Sequence, residues 1–238
     1  MENKKSLRIP ELVGEFRKTV VEVPAIIREE SSGIKLFGKV IHSLLFSTDI
    51  AIIKNSNADA IIAVYPFTPH PAITNAIMEV ADVPVLCGVG GGTTQGSRSV
   101  NIALHAEFQG AIAVVLNAPA SLETIRNVKD TIDIPVVVTV VSELTDVGER
   151  LRAGADIINV SGGALTPAIV KKIREEFPDI PIIATGGQTD ESIMRTIDAG
   201  ANAVTYTPPT NGELFRVKMD HYREEENTKY ERDKRDRS

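Results

Sequence analysis

Three titratable side chains stand where strand ends would place proton-transfer chemistry. Glu143 closes the apolar run IPVVVTVVSE, where a carboxylate can act as a base, although SELTDVGER lets it equally open the next helix. His70 lies in TPHP between Pro69 and Pro71, and an imidazole held in so rigid a loop suits a general acid or base as well as a plain surface role. Asp49 ends LLFSTD, where it can move a proton or cap a helix together with Ser47 or Thr48. His42 falls inside an apolar run, His105 and Glu107 in a helical stretch and His221 near the end of the chain, so they rank lower. No apolar run ends in Lys, which argues against Schiff-base chemistry. No His, Asp or Glu pair has tight ligand spacing, so no metal is expected. Cys87 in VPVLCG has no base beside it and reads as a small buried residue.

Anion chemistry is suggested by glycine. Gly91 and Gly92 follow VPVLCGV, Gly162 and Gly163 follow GADIINVS, and Gly186 and Gly187 follow IPIIAT. Without Cβ atoms, backbone N–H groups can approach an oxyanion, and a following helix start adds positive potential. A tight strand-to-helix turn is the competing reading. The stretch GVGGGTTQGSR adds Thr93 and one fixed cation, Arg98, suited to a carboxylate or phosphate. It reads as a binding loop or lid, or as a flexible surface loop. It is neither a dinucleotide fingerprint nor a P-loop, whose Lys it lacks.

The elements that must hold these groups repeat. Small-residue openers recur at NADAIIAVYPF, GAIAVVLNAP, GADIINVSGG and GANAVTYTPP, 44 to 53 residues apart. Pro-led runs alternate with them at VPVLCGVGGG, IPVVVTVVSE and IPIIATGGQT. Each interval holds two strand-helix units of roughly 22 to 26 residues. With KVIHSLLFS from Lys39 as the first, the strands number eight, which predicts an α/β fold: a single parallel (βα)8 TIM barrel. Residues 1–35 are expected to form a helical extension that covers the barrel bottom and bends at Pro24. Residues 36–222 form the barrel, with its eighth helix starting at Gly212, and residues 223–238 a charged helical tail.

Barrel sites lie at strand C-termini, and period-2 alternation selects the inward side chains there. Asn159 and Ser161 share a face opposite Ile158 and Val160, so the polar pair points inward. The same parity turns in Asn117, Thr205 and Thr207, with Thr139, Ser142 and Thr185 from neighbouring runs.

The stretch from Gly154 to Tyr206, GADIINVSGG followed by IPIIATGGQTDESIMRTIDAGANAVTYT, resembles the last three units of the phosphate-binding (βα)8 barrels, the ribulose-phosphate-binding type with its flavin-binding relatives. The resemblance implies a phosphate held by the turns after the seventh and eighth strands. The chain departs from it at Pro208 and Pro209, which have no N–H to offer where such barrels use glycine.

The 238 residues carry 26 Lys and Arg against 32 Asp and Glu, a net charge of −6, one Cys and no 18-residue apolar run. Nucleic acid and membrane are therefore excluded as expected partners, and a cytoplasmic setting with a small anionic ligand is favoured. Oligomeric state stays open, a homo-oligomer included. The expected function is an isomerase or lyase moving protons on a small phosphorylated or carboxylated metabolite. The alternatives are a flavin mononucleotide (FMN) oxidoreductase and a non-catalytic metabolite sensor.

Overall fold

A computed structural model describes residues 10, 12, 14 and 21–236. The helix expected ahead of Pro24 falls largely outside the described residues. A short helix follows that proline, Ala25–Glu30 (α1), and leads into a hairpin of Ile34–Leu36 (β1) and Lys39–Ile41 (β2). Eight parallel strands come next: Ser43–Phe46 (β3), Ala60–Ala63 (β4), Val85–Gly90 (β5), Ala113–Leu116 (β6), Val136–Val140 (β7), Ile157–Val160 (β8), Ile182–Thr185 (β9) and Ala203–Tyr206 (β10). They close as β10-β3-β4-β5-β6-β7-β8-β9, a (βα)8 TIM barrel. Between them run Ile50–Lys54 (α2), Pro71–Val80 (α3), Ser97–Phe108 (α4), Leu122–Lys129 (α5), Val147–Arg152 (α6), Thr166–Glu176 (α7) and Asp190–Asp198 (α8). The chain ends in Asn211–Asp236 (α9). Side-chain caps start the helices: Ser121 accepts the Thr124 N–H, and Thr189 and Ser192 form a reciprocal capping box.

The barrel interior is built in layers of four, contributed by alternate strands. Ala60, Ala113, Ile157 and Ala203 form the lowest, and Leu44, Leu86, Val137 and Ile183 the next. Ile34 and Ile41 of the hairpin pack beneath them and seal the bottom. The run from Lys39 is therefore not one strand. It divides at His42, whose Nδ1 lies 3.1 Å from the Ser31 hydroxyl, so that its first half belongs to the hairpin plug.

The sequence repeat has a structural meaning at this end. The third residue of an opener holds the start of the preceding strand. Asp59 accepts the N–H groups of His42 and Ser43 at 3.1 and 3.0 Å and the Ser43 hydroxyl. Asp156 accepts the Val136 N–H at 2.8 Å, and Asn202 that of Ile182 at 2.9 Å. Each also takes a cation from the helix before that strand: Arg28, Lys129 and Arg174. In GAIA the position is Ile112, and only its backbone bond to Val85 remains. Burial alone would raise the Asp59 carboxyl, but bonds from the Ser43 amide, Arg28, the His42 amide and the Ser43 hydroxyl hold it below the ordinary carboxylate range.

The outer cover over β10 also differs from expectation. Val204 and Tyr206 face Ile27, Val23 and Ile26 rather than a helix that follows them in the chain. The N-terminal α1 thus fills the place of the eighth barrel helix. The 26-residue α9 leans on the barrel through Leu214, while Phe215, Val217, Tyr222 and Tyr230 stay exposed. Its composition explains this: beyond Tyr222 it is almost wholly charged and has nothing to bury.

Three outcomes follow. Ile27→Ala should cost about 2 to 5 kcal/mol in urea unfolding, because Ile27 is fully buried. Ending the chain at Asp220 should change stability by under about 1 kcal/mol. Asp59→Asn should cost about 2 to 3 kcal/mol at pH 7. Since that carboxyl is depressed in the folded state, its contribution is present above pH 4 and is lost as pH falls through the folded value, so the gap between mutant and wild type should narrow as melts are taken below pH 4.

Candidate functional site

Above the apolar layers the interior changes character. The third layer is Ile62, Val115, Asn159 and Thr205, the fourth Phe46, Gly88, Thr139 and Thr185, and the fifth Val64, Asn117, Ser161 and Thr207. A cavity of about 300 Å3 opens among the upper residues at the strand C-termini. Its wall is divided. The β3 and β4 side is apolar, with Phe46, Ile62 and Val64, while β7 to β10 supply hydroxyls and an amide.

A hydrogen-bond relay orients the polar side. The Asn159 amide donates to Thr139 Oγ1 at 3.1 Å, and the Thr139 hydroxyl donates to Asn117 Oδ1 at 3.1 Å. With both amides so oriented, Asn117 Oδ1 is an acceptor, which leaves its Nδ2 donors for the mouth. Asn159 Oδ1 and Thr205 Oγ1 are buried without a partner, in residues only 8% and 5% exposed. Buried polar atoms of this kind are costly unless another molecule satisfies them.

A second cavity of about 260 Å3 adjoins the first and shares Val64, Asn117 and Ala118 with it. Tyr65, Phe67 and Pro69 line one side, and Gly88, Gly90, Gly91, Gly92 and Thr93 the other. The glycine loop is firmly held rather than loose. Gln95 donates to the Gly92 carbonyl and accepts the Ser121 N–H at 3.0 Å, while Thr94 is buried and bonds Thr68. A Cβ at Gly90 would meet the Thr94 carbonyl at 2.6 Å, so that glycine serves close packing of the loop. Gly92, with φ +62°, faces open space.

The parity argument thus places Asn117, Asn159, Ser161, Thr185 and Thr207 together, with Gly91, Gly92 and Thr93 in the adjoining cavity. Other expected residues stand apart. Asp49 caps α2, accepting from Ala51 and Ile52, and His70 caps α3 through Nδ1, accepting from Ala72. Glu143 lies exposed in the β7–α6 turn, its carbonyl bound by Lys172. Arg98 lies in the first turn of α4 and lines a separate surface depression with Asn101 and His105, so it does not close over the mouth. Gly162 gives its N–H to Thr166, and Gly186 gives its N–H to the Thr205 carbonyl at 3.3 Å. Gly163 and Gly187, at φ +58° and +83°, serve the strand-to-helix turns. None of these four glycines lines the mouth cavity. Asp49 and His70 serve helix starts, whose free N–H groups lie within their reach. The apolar wall at Phe46, Ile62 and Val64 was missed, although the same parity applied to NADAIIAVYPF would have found two of the three. Cys87 is buried, and desolvation pushes its thiol up to about 12, leaving it inert near neutral pH.

The fold and this mouth define a (βα)8 barrel with a preformed, polar-floored pocket. No family model matches the chain, and no curated protein does. Among solved structures, 664 chains match. A Burkholderia cenocepacia protein assigned as a phosphonomutase aligns with TM-score 0.59 and 15% identity over 85% of this chain and 98% of that one. Phosphonopyruvate hydrolase, solved with oxalate and Mg++, gives 0.57 and 14% over 84% and 82%. Dihydrodipicolinate synthase from Bacillus anthracis gives 0.55 and 18% over 69% of each. These neighbours are a mutase, a hydrolase and a synthase, and at such identities the likeness establishes the shared fold. Among the described residues no helix is long and apolar enough to cross a membrane, and no cluster of three His, Cys, Asp or Glu stands together.

Two threonines at the mouth should respond oppositely to the same change. Thr139→Val strands Asn117 Oδ1 and the Asn159 amide and should cost about 1 to 3 kcal/mol. Thr205→Val removes a hydroxyl that has no partner, so the ligand-free protein should unfold at the same or a higher urea concentration.

Proposed function

We propose that the barrel mouth binds one small hydroxylated metabolite carrying a carbonyl or carboxylate oxygen, in a cytoplasmic setting. The observation that carries this reading is the polarity of the relay. Asn159 Oδ1 asks for a donor, Asn117 Nδ2 offers donors to an acceptor, and Thr205 Oγ1 can serve as either. A ligand with an –OH beside a carbonyl or carboxylate answers all three. Ser161, Thr185 and Thr207 complete the polar wall, with Gly91, Gly92 and Thr93 beside it.

A carboxylate agrees with this donor set better than a phosphate does. The turns of the ribulose-phosphate-binding type are partly spent internally here, since the Gly162 and Gly186 N–H groups are bonded and Pro208 and Pro209 have none. An FMN phosphate would need the same turns. A divalent ion such as the Mg++ bound in phosphonopyruvate hydrolase does not fit either, because no carboxylate lines the mouth.

In this reading the chemistry is of the lyase or isomerase type, and Glu143 moves the proton. It lies two residues beyond Val141, which lines the mouth, on the β7–α6 turn. The hydroxyls and amides orient the ligand and hold its oxygen as charge develops there. Asp49 and His70 take no part, being engaged as caps. A metabolite sensor is the second reading. It is favoured by one observation: no titratable side chain lines the cavity.

Thermal unfolding against 2-hydroxy acids, 2-oxo acids, their phosphorylated counterparts and inorganic phosphate tests the ligand class. At 100 times Kd a ligand adds about 2.7 kcal/mol, which should raise the midpoint by roughly 5 to 11 °C. A rise with phosphorylated members alone would overturn the carboxylate reading. For a member that binds, Glu143→Gln should remove turnover while keeping the thermal shift; turnover retained would dismiss Glu143, and no turnover in wild type would select the sensor.

A further inference from the structure

The division of the mouth wall has a chemical consequence. In the third to fifth layers the polar positions lie on β6 to β10, while the β3 to β5 side offers Phe46, Ile62, Val64 and the bare backbone of Gly88. Gly88 is the position where the fourth layer would otherwise place a side chain from β5, and it lines the adjoining cavity. The two cavities share Val64, Asn117 and Ala118 as lining. The second cavity is a slot with an aromatic and proline wall, Tyr65, Pro66, Phe67 and Pro69, facing flat glycine backbone. An aromatic and proline surface on one side and flat peptide backbone on the other suit a planar ring.

The slot is also preformed. Tyr65 is fixed by its hydroxyl, which accepts the His70 N–H at 2.8 Å. Thr94 donates to Thr68 at 3.1 Å and ties the far wall to the near one. Three prolines, Pro66, Pro69 and Pro71, stiffen the segment. Little conformational freedom is therefore left to lose when a ligand enters. Phe67 is 76% exposed, an apolar side chain with no partner of its own in the fold.

We propose that this slot is a ring subsite: the ligand is an aromatic or heteroaromatic hydroxy acid or hydroxy ketone, its oxygens against Asn159 and Thr205 and its ring between Phe67 and the β5 glycines. The proposal rests on the ligand reading above and extends it. Together the cavities fall within the volume range of small-molecule sites, whereas a three-carbon hydroxy acid would leave the slot empty.

Lactate and 3-phenyllactate differ only by the ring, so they separate the two claims. Calorimetric titration of the full chain should give at least tenfold tighter binding for 3-phenyllactate. Phe67→Ala, at an exposed position that folding does not need, should remove most of that advantage and leave lactate affinity unchanged. Thr205→Val should weaken both acids alike, severalfold. Equal affinity of the two acids, or a Phe67→Ala loss shared equally between them, would overturn the ring subsite while the polar site stands. Failure of both acids to bind, or indifference of both to Thr205→Val, would overturn the polar site and the ring subsite with it.

Discussion

Closure of eight staggered strands is the constraint on which the rest of this protein depends. Once the sheet closes, every second residue of each strand must enter a shared interior, and alternate strands must contribute to the same layer. Small and branched side chains fill the two lower layers, with Ala60, Ala113 and Ala203 set against Leu44, Leu86, Val137 and Ile183. The same geometry carries Asn159 and Thr205 into the third layer, where no apolar neighbour can satisfy them. The pocket is thus the point at which the layers change composition, and its floor needs no loop to define it.

The two ends of the barrel divide the work. At the bottom, Asp59, Asp156 and Asn202 each bind the start of a neighbouring strand and a cation from the helix before it. A half-buried carboxylate or amide there stabilises because its oxygens are met by N–H groups and a cation. At the top the polar groups are left partly unanswered. Stability is concentrated where the chain is anchored, and binding capacity where it is not.

This division bears on chemistry. A mouth of neutral donors and acceptors selects by hydrogen-bond pattern and shape, and charge contributes little. The neighbouring mutase, hydrolase and synthase barrels share the scaffold, but function on such scaffolds lives in the groups at the mouth. Here those groups are neutral donors and acceptors, and Glu143, the carboxylate proposed for proton transfer, lies exposed on the β7–α6 turn outside the cavity lining.

Much was legible in the chain itself. Openers and Pro-led runs at regular spacing specify eight buried strands, because continuous apolar runs can only be covered on both faces. Parity within GADIINVSGG and GANAVTYTPP specifies Asn159, Ser161, Thr205 and Thr207 as inward, because side chains alternate strictly along a strand. Where a side chain had two local uses, the tertiary structure decided. Asp49 and His70 became caps because free N–H groups at a helix start lie within reach, while the mouth does not. Lys39 to Ile41 became a plug, and α1 took the place of the eighth helix, because coverage of β10 is set by which apolar face is nearest in space and not in sequence. The meeting of the glycine loop with Tyr65 and Phe67 likewise joins segments more than twenty residues apart, and the pairing of β4 with β5 brings them together.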